Sequence, residues 1–154
     1  RPLPHRMALV AEVDGVRYYD DYKGTNVGAA VTALRGLPEA RVVLIAGGRD
    51  KLGAYDDLAA ALAARGRAAV LIGEAADRIA AAVGDVVPVA RAGDMQAAVE
   101  AAARLAQPGD AVLLSPACSS FDMFKSYADR GERFAAAVRS LTTAPGAAPT
   151  GGAP

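Results

Sequence analysis

The residues best suited to chemistry in this sequence are two lysines set beside glycines and one cluster of serines. Lys23 lies in Asp21-Tyr22-Lys23-Gly24-Thr25-Asn26, and Lys51 in Gly47-Gly48-Arg49-Asp50-Lys51-Leu52-Gly53. A lysine in a glycine-rich loop at a helix start is a natural anion anchor, a point charge added to free backbone N–H groups. Ser115, Ser119 and Ser120 follow an apolar run and precede a helical pattern, so they add hydroxyl donors to the same kind of backbone. Taken singly, each has a plainer reading, a solvated lysine or a capping serine. Together they suit a small ligand with more than one carboxylate.

Other chemistries lack their residues. Gly47 to Lys51 does not have the G-x-x-x-x-G-K-[ST] spacing of a phosphate-binding P-loop, and no G-x-G-x-x-G follows a strand pattern. Cys118 is the single cysteine, which excludes an internal disulfide and suits a reducing cytoplasm. A thiol mechanism would need His5, the lone histidine, as base, and no carboxylate is placed to orient it. Cys118 reads better as a small buried residue in a tight turn. No ligand cluster suggests a metal. Seventeen acidic and seventeen basic residues give zero formal charge, so no basic surface argues for nucleic acid. No apolar run approaches the roughly 18 residues of a membrane span, and Arg1 to Met7 lacks the apolar core of a signal peptide. A cytoplasmic monomer is the expectation.

The elements that must position these loops follow from hydrophobic patterning. The 154 residues suffice for one domain. Residues 1–6, with two prolines, read as a linker; 7–141 as the folded domain; 142–154, rich in Ala, Pro, Gly and Thr, as a disordered tail. Met7–Val13 and Val16–Tyr19 are β-prone runs joined by Asp14-Gly15, a hairpin signal. Thr25 or Asn26 is placed to cap a helix whose apolar side is Val27, Ala30, Val31 and Leu34. Arg41–Ala46 is apolar throughout, as in a strand buried on both faces. Then come a helix over about 56–64, a strand Ala68–Ile72, a helix through Ile79 and Val83, and a short strand Val86–Val89. A helix Met95–Leu105 capped by Asp94 and a last strand Ala111–Leu114 follow. Phe121, Phe124, Ala128, Phe134, Val138 and Leu141 fall near helical spacing and predict a terminal helical segment packed on the core. Gly131 interrupts that pattern and predicts two helices, one to Arg130 and one from about Glu132. The alternation predicts a Rossmann-like, doubly wound, mostly parallel sheet with an N-terminal antiparallel hairpin strand. In such a sheet the ends after Tyr19, Ala46 and Leu114 lie along one edge, where ligands bind.

With these pieces in place, Leu114–Phe134 (LSPACSSFDMFKSYADRGERF) resembles the C-terminal domain of the bacterial Mur ligases. His5-Arg6, the Asp21–Asn26 stretch and Gly47–Lys51 match that family's other C-terminal motifs in order, so the resemblance covers residues 3 to 141. It is closest to the members that add D-glutamate to UDP-N-acetylmuramoyl-L-alanine, and the Asn-Pro-Arg signature of the diaminopimelate- or lysine-adding members is not found. The resemblance implies an ATP- and Mg2+-dependent ligation in peptidoglycan precursor synthesis, through an acyl phosphate that the amine of D-glutamate attacks. It implies D-glutamate contacts from Lys23, Thr25, Lys51, Ser120, Phe121 (by its backbone) and Tyr127. Nucleotide contacts are implied for Arg6 and Asp21, and a hinge role for His5-Arg6. None of these residues is expected to be catalytic itself. The chain departs from the family at Tyr22, where serine is usual, at Arg49-Asp50-Lys51, where Asp-Gly-Lys is usual, and at Tyr127, where phenylalanine is usual. The ATPase and uridine-nucleotide domains are expected outside these residues, and the domain alone to be inactive. The competing expectation is a free-standing binding module for a small dicarboxylate or nucleotide. The linker-like residues 3–6 favour the ligase domain.

Overall fold

A computed structural model describes residues 7–21, 24–49, 54–117 and 127–143. Two strands open the chain, β1 (Met7–Val13) and β2 (Val16–Asp21), paired antiparallel. Asp14 and Gly15 join them with φ of 54° and 80°, the left-handed pair that a tight hairpin turn needs. From α1 (Val27–Gly36) onward, strands and helices alternate: β3 (Val42–Gly47), α2 (Asp56–Arg65), β4 (Gly66–Ile72), α3 (Ala76–Val83), β5 (Val89–Arg91), α4 (Met95–Leu105), β6 (Ala111–Leu114) and α5 (Tyr127–Thr143). The six strands form one sheet in the order β1-β2-β6-β3-β4-β5, parallel except for β1.

The order explains the patterning. Every residue of β3 and β6 is buried, because both strands are central and helices cover both faces. One core joins Leu44, Leu71 and Leu113 of the sheet to Leu34 of α1, Leu58 and Leu62 of α2, and Ile79 of α3. The other joins Ile45, Val70 and Leu114 to Met95 and Val99 of α4 and to Phe134 and Val138 of α5. Successive strand residues face opposite cores, as the period of two requires. Asn26 caps α1 and Asp94 caps α4, each side chain accepting from the backbone N–H three residues on at 2.8 Å.

Three expectations are corrected. The fifth strand is Val89–Arg91, not Val86–Val89. The amides of Val86 and Val87 both donate to the Val83 carbonyl in the turn that ends α3, and Pro88 then starts the extended run. The terminal helix is a single element through Gly131, for a reason given below. Ala128 is exposed rather than part of the core stripe, whereas Phe134 and Val138 are fully buried. The helix ends at Thr143. Residues 1–6, Phe121 and Phe124 lie outside the described residues.

Candidate functional site

The last strand, β6, inserts between β2 and β3, so the carboxyl ends of the three strands that precede the polar loops stand side by side. Backbone hydrogen bonds lace these ends together. The amide of Ala117 donates to the Gly24 carbonyl at 2.8 Å, and that of Gly47 to the Pro116 carbonyl at 2.9 Å. Ser115 donates its amide to Ile45, and Ala75 donates to Gly48, which extends the lacing to the end of β4. Ala117 reaches Gly24 only by taking a left-handed φ of 66°, a conformation a non-glycine residue holds where its surroundings enforce it. Gly47 has φ of 127°, and a Cβ there would lie 1.9 Å from the Ile72 carbonyl oxygen, so no other residue fits.

Two successive aspartates end β2, and the strand alternation turns them to opposite faces. Asp21 is fully buried, and its Oδ2 accepts from the Ser115 hydroxyl at 3.0 Å. Gly24 lies over this pair so closely that a Cβ would stand 2.2 Å from Ser115 Oγ and 2.7 Å from Asp21 Oδ2. On the other face, Asp20 is buried near Arg130 and Gly131 of α5. Burial pushes the Asp20 carboxyl up to about 6, the charge of Asp21 adds to the shift, and Arg130 opposes it. Further down β2, Tyr19 donates to Glu39 Oε2 at 2.8 Å. Its hydroxyl is raised to about 12, first by burial and then by Glu39.

Of the residues proposed from sequence, the structure brings Asp21 and Thr25 to this edge. Thr25 is half-buried just before Asn26, which caps α1 by accepting from the Ala29 N–H. Tyr127 is the first residue of α5. Arg6, Lys23, Lys51, Ser120 and Phe121 lie outside the described residues, as does Cys118. Ser115 is fully buried against Asp21, so its hydroxyl supports the loop instead of offering itself to a ligand. Arg49 is exposed at the mouth of the 50–53 loop. Sequence reasoning missed Asp20, Gly24 and Arg130. The one signal for them was the pair of adjacent aspartates ending an alternating strand.

At the end of β3 the Gly47 amide donates to Pro116, and the Gly48 carbonyl accepts from Ala75. Among the described residues no group of acidic, cysteine and histidine side chains gathers for a metal ion. A cavity of about 230 Å³ lined by Glu12, Arg17, Glu39 and Asp110 lies at the opposite, amino end of the parallel strands. No helix among the described residues is long and apolar enough to cross a membrane.

Comparison with known proteins gives this edge a context. The family described as Mur ligase, glutamate ligase domain, matches residues 5–118. A protein of Pseudomonas fluorescens named UDP-N-acetylmuramoylalanine–D-glutamate ligase is 52% identical over 142 residues, covering 90% of this chain and 32% of that protein. A protein of the same name from Aromatoleum aromaticum is 57% identical over 143 residues, covering 92% of this chain and 30% of its own length. The chain thus spans about a third of the length of these curated relatives. Among solved structures, a domain of a Haemophilus ducreyi UDP-N-acetylmuramate:L-alanyl-γ-D-glutamyl-diaminopimelate ligase superposes with a TM-score of 0.56 at 15% identity. That likeness covers 85% of this chain and 98% of that one. MurF ligase of Thermotoga maritima, solved with ADP, gives 0.52 at 17% identity over 91% of this chain and 32% of the other. At these identities the structures establish the shared α/β fold.

Proposed function

The chain belongs to the glutamate ligase domain family of the Mur ligases, and from that premise we propose that it is the D-glutamate-binding domain of the enzyme that joins D-glutamate to UDP-N-acetylmuramoyl-L-alanine. The observation that carries this reading is the lacing of the β2, β3 and β6 ends at one edge, from which the lysine-bearing and serine-bearing stretches all depart. The relatives above bear that enzyme's name over nine-tenths of this chain. A self-contained binding module is the weaker reading, because those relatives carry this domain within chains about three times as long.

In the proposed arrangement Lys51, Thr25, Ser120 and Tyr127 hold the two carboxylates of D-glutamate, with Lys23 beside them and the Phe121 backbone completing the cradle. Two cationic side chains and hydroxyl donors are the complement a dicarboxylate needs. ATP activates the acceptor carboxylate. ATP and Mg2+ are assigned mainly to the part of the enzyme beyond this chain. Arg6 and Asp21 are assigned to the side that meets the nucleotide. The domain's own task is orientation: it presents the D-glutamate amine to the activated carboxylate and excludes water as the enzyme closes. We place the reaction in the cytoplasm, where ATP is available.

The test is phosphate release by the full-length enzyme given ATP, UDP-N-acetylmuramoyl-L-alanine and a panel of amino acids. Release with D-glutamate but not with L-glutamate, L-lysine or diaminopimelate is expected, and equal turnover with all of them refutes the reading. In the same enzyme Lys51→Ala raises the KM for D-glutamate about tenfold or more while the KM for ATP stays within about twofold. An unmoved D-glutamate KM removes Lys51 from the site.

A further inference from the structure

Glycine weakens a helix interior, yet Gly131 sits inside α5, a helix of 17 residues. The neighbouring geometry supplies the reason. A Cβ at position 131 would lie 2.8 Å from Asp20 Oδ2, closer than carbon and oxygen pack. Arg130, the residue before it, is among the largest fully buried side chains of the molecule, with 1% of its surface exposed. A guanidinium withdrawn from water needs a counter-charge, and the Asp20 carboxylate lies within its field. The helix is therefore brought against the end of β2 at one point, where an acid, a buried base and a missing side chain meet.

We propose that Asp20 is a positioning residue for the D-glutamate site: with Arg130 and the gap left by Gly131 it fixes the first turn of α5, the helix that begins at Tyr127. The inference rests on the ligase reading above. The two aspartates of β2 then divide the support of the site between them. Asp21 ties the β2 and β6 loops together on the α1 face, and Asp20 secures α5 on the other. Stability alone does not account for Asp20. Burial raises its carboxyl to about 6 despite the field of Arg130, so the ionised carboxylate is costly to bury at this point. The strand neighbours in register with Asp20, Ala8 on β1 and Leu114 on β6, are apolar. The charges acting on it are thus Arg130 from α5 and Asp21 beside it.

The test uses the full-length ligase and its Asp20→Asn and Arg130→Lys variants. Steady-state kinetics run from pH 5 to 8, and amide hydrogen exchange is followed at residues 128–131. Asp20→Asn is expected to raise the KM for D-glutamate about tenfold, with the KM for ATP within about twofold. The wild-type D-glutamate KM climbs as pH falls through about 6, where Asp20 takes up a proton and its charge no longer acts on Arg130. The variant's KM is high and flat over that range, and Arg130→Lys, which keeps the charge, lies between. Exchange at 128–131 quickens in Asp20→Asn while β3 and β4 keep their protection. An unchanged D-glutamate KM overturns the proposal, and so does a matched rise in both KM values with faster exchange throughout. Should the wild-type enzyme make no use of D-glutamate, the ligase reading fails separately. Exchange then decides for Asp20: local quickening sustains its hold on α5, and unchanged exchange overturns it.

Discussion

Replacing Gly24 by alanine tests the lacing of the β2 and β6 loops at its tightest point. The new Cβ would stand 2.2 Å from Ser115 Oγ and 2.7 Å from Asp21 Oδ2. Relief requires the hydroxyl to retreat by roughly 1 Å to reach an ordinary carbon–oxygen contact. That stretches the 3.0 Å bond between Ser115 and Asp21 beyond hydrogen-bonding range, with both groups buried. A hydrogen bond to a charged group is worth about 1.5–3 kcal/mol, and overpacking adds about 1–3 kcal/mol. The stiffer unfolded chain of the alanine variant returns about 0.4–1 kcal/mol. A net loss of about 3 kcal/mol is expected, or a fall in Tm of roughly 6–12 °C for a domain of this size.

Urea unfolding of the 154-residue chain, followed by circular dichroism, measures that loss. The mechanism is separated from a general intolerance by the pair Gly24→Ala and Ser115→Ala. Once the hydroxyl is gone, the alanine at 24 meets one obstacle instead of two, so its cost falls by at least about 1 kcal/mol. A Gly24→Ala variant within about 0.5 kcal/mol of the parent, or effects that simply add within that margin, would refute the reasoning.

Two further predictions concern the sheet. Gly47→Ala places a Cβ 1.9 Å from a backbone oxygen of β4 at a φ of 127°, and a loss beyond about 4 kcal/mol is expected; Gly93→Ala, with nothing within 4 Å of its Cβ, stays within about 1 kcal/mol. Soluble yield and thermal unfolding compare them, and a Gly47→Ala chain as stable as the Gly93→Ala chain contradicts the close approach. Of the five tyrosines, Tyr18 and Tyr19 are raised to about 12, so absorbance at 295 nm should show them ionising late. Because both values are raised, folding resists their ionisation, and their contribution to stability is lost as pH climbs from about 10 through 12. Glu39→Gln returns Tyr19 toward its ordinary value and leaves Tyr18 where it was; equal movement of both would remove Glu39 as the cause.

Much of the fold was legible because its sheet is buried on both faces. Continuous apolar runs mark β3, β4 and β6 without ambiguity, and Asn26 and Asp94 mark helix starts by their own side chains. The errors came where a residue's intrinsic preference met a specific contact, local in one case and tertiary in the other. Val86 and Val87 have strand-forming side chains, but their amides are held by Val83 in the turn after α3. Gly131 reads as a breaker by propensity, whereas α5 runs through it because the missing Cβ admits Asp20. The lysines and serines were visible as chemistry from their composition, and the family motifs suggested the ligand proposed for them. The side chains that support them were not visible. Ser115 and Asp21 are 94 positions apart, and nothing local in either stretch announces the other.

The position of β6 accounts for that distance. A chain that finished its sheet in sequence order would place the last loop at the far edge, beyond β5. Instead β6 returns to the centre, between β2 and β3, and brings its carboxyl end beside theirs. The proposed site therefore depends on the last strand, and β2 presents contacts for it on both faces. Adjacent aspartates do this because a strand turns successive side chains to opposite sides. Asp21 meets the serine that ends β6, and Asp20 meets the helix that follows it. Each meeting is closed by a glycine, Gly24 on one side and Gly131 on the other, because at both points the carboxylate takes the space a Cβ would need.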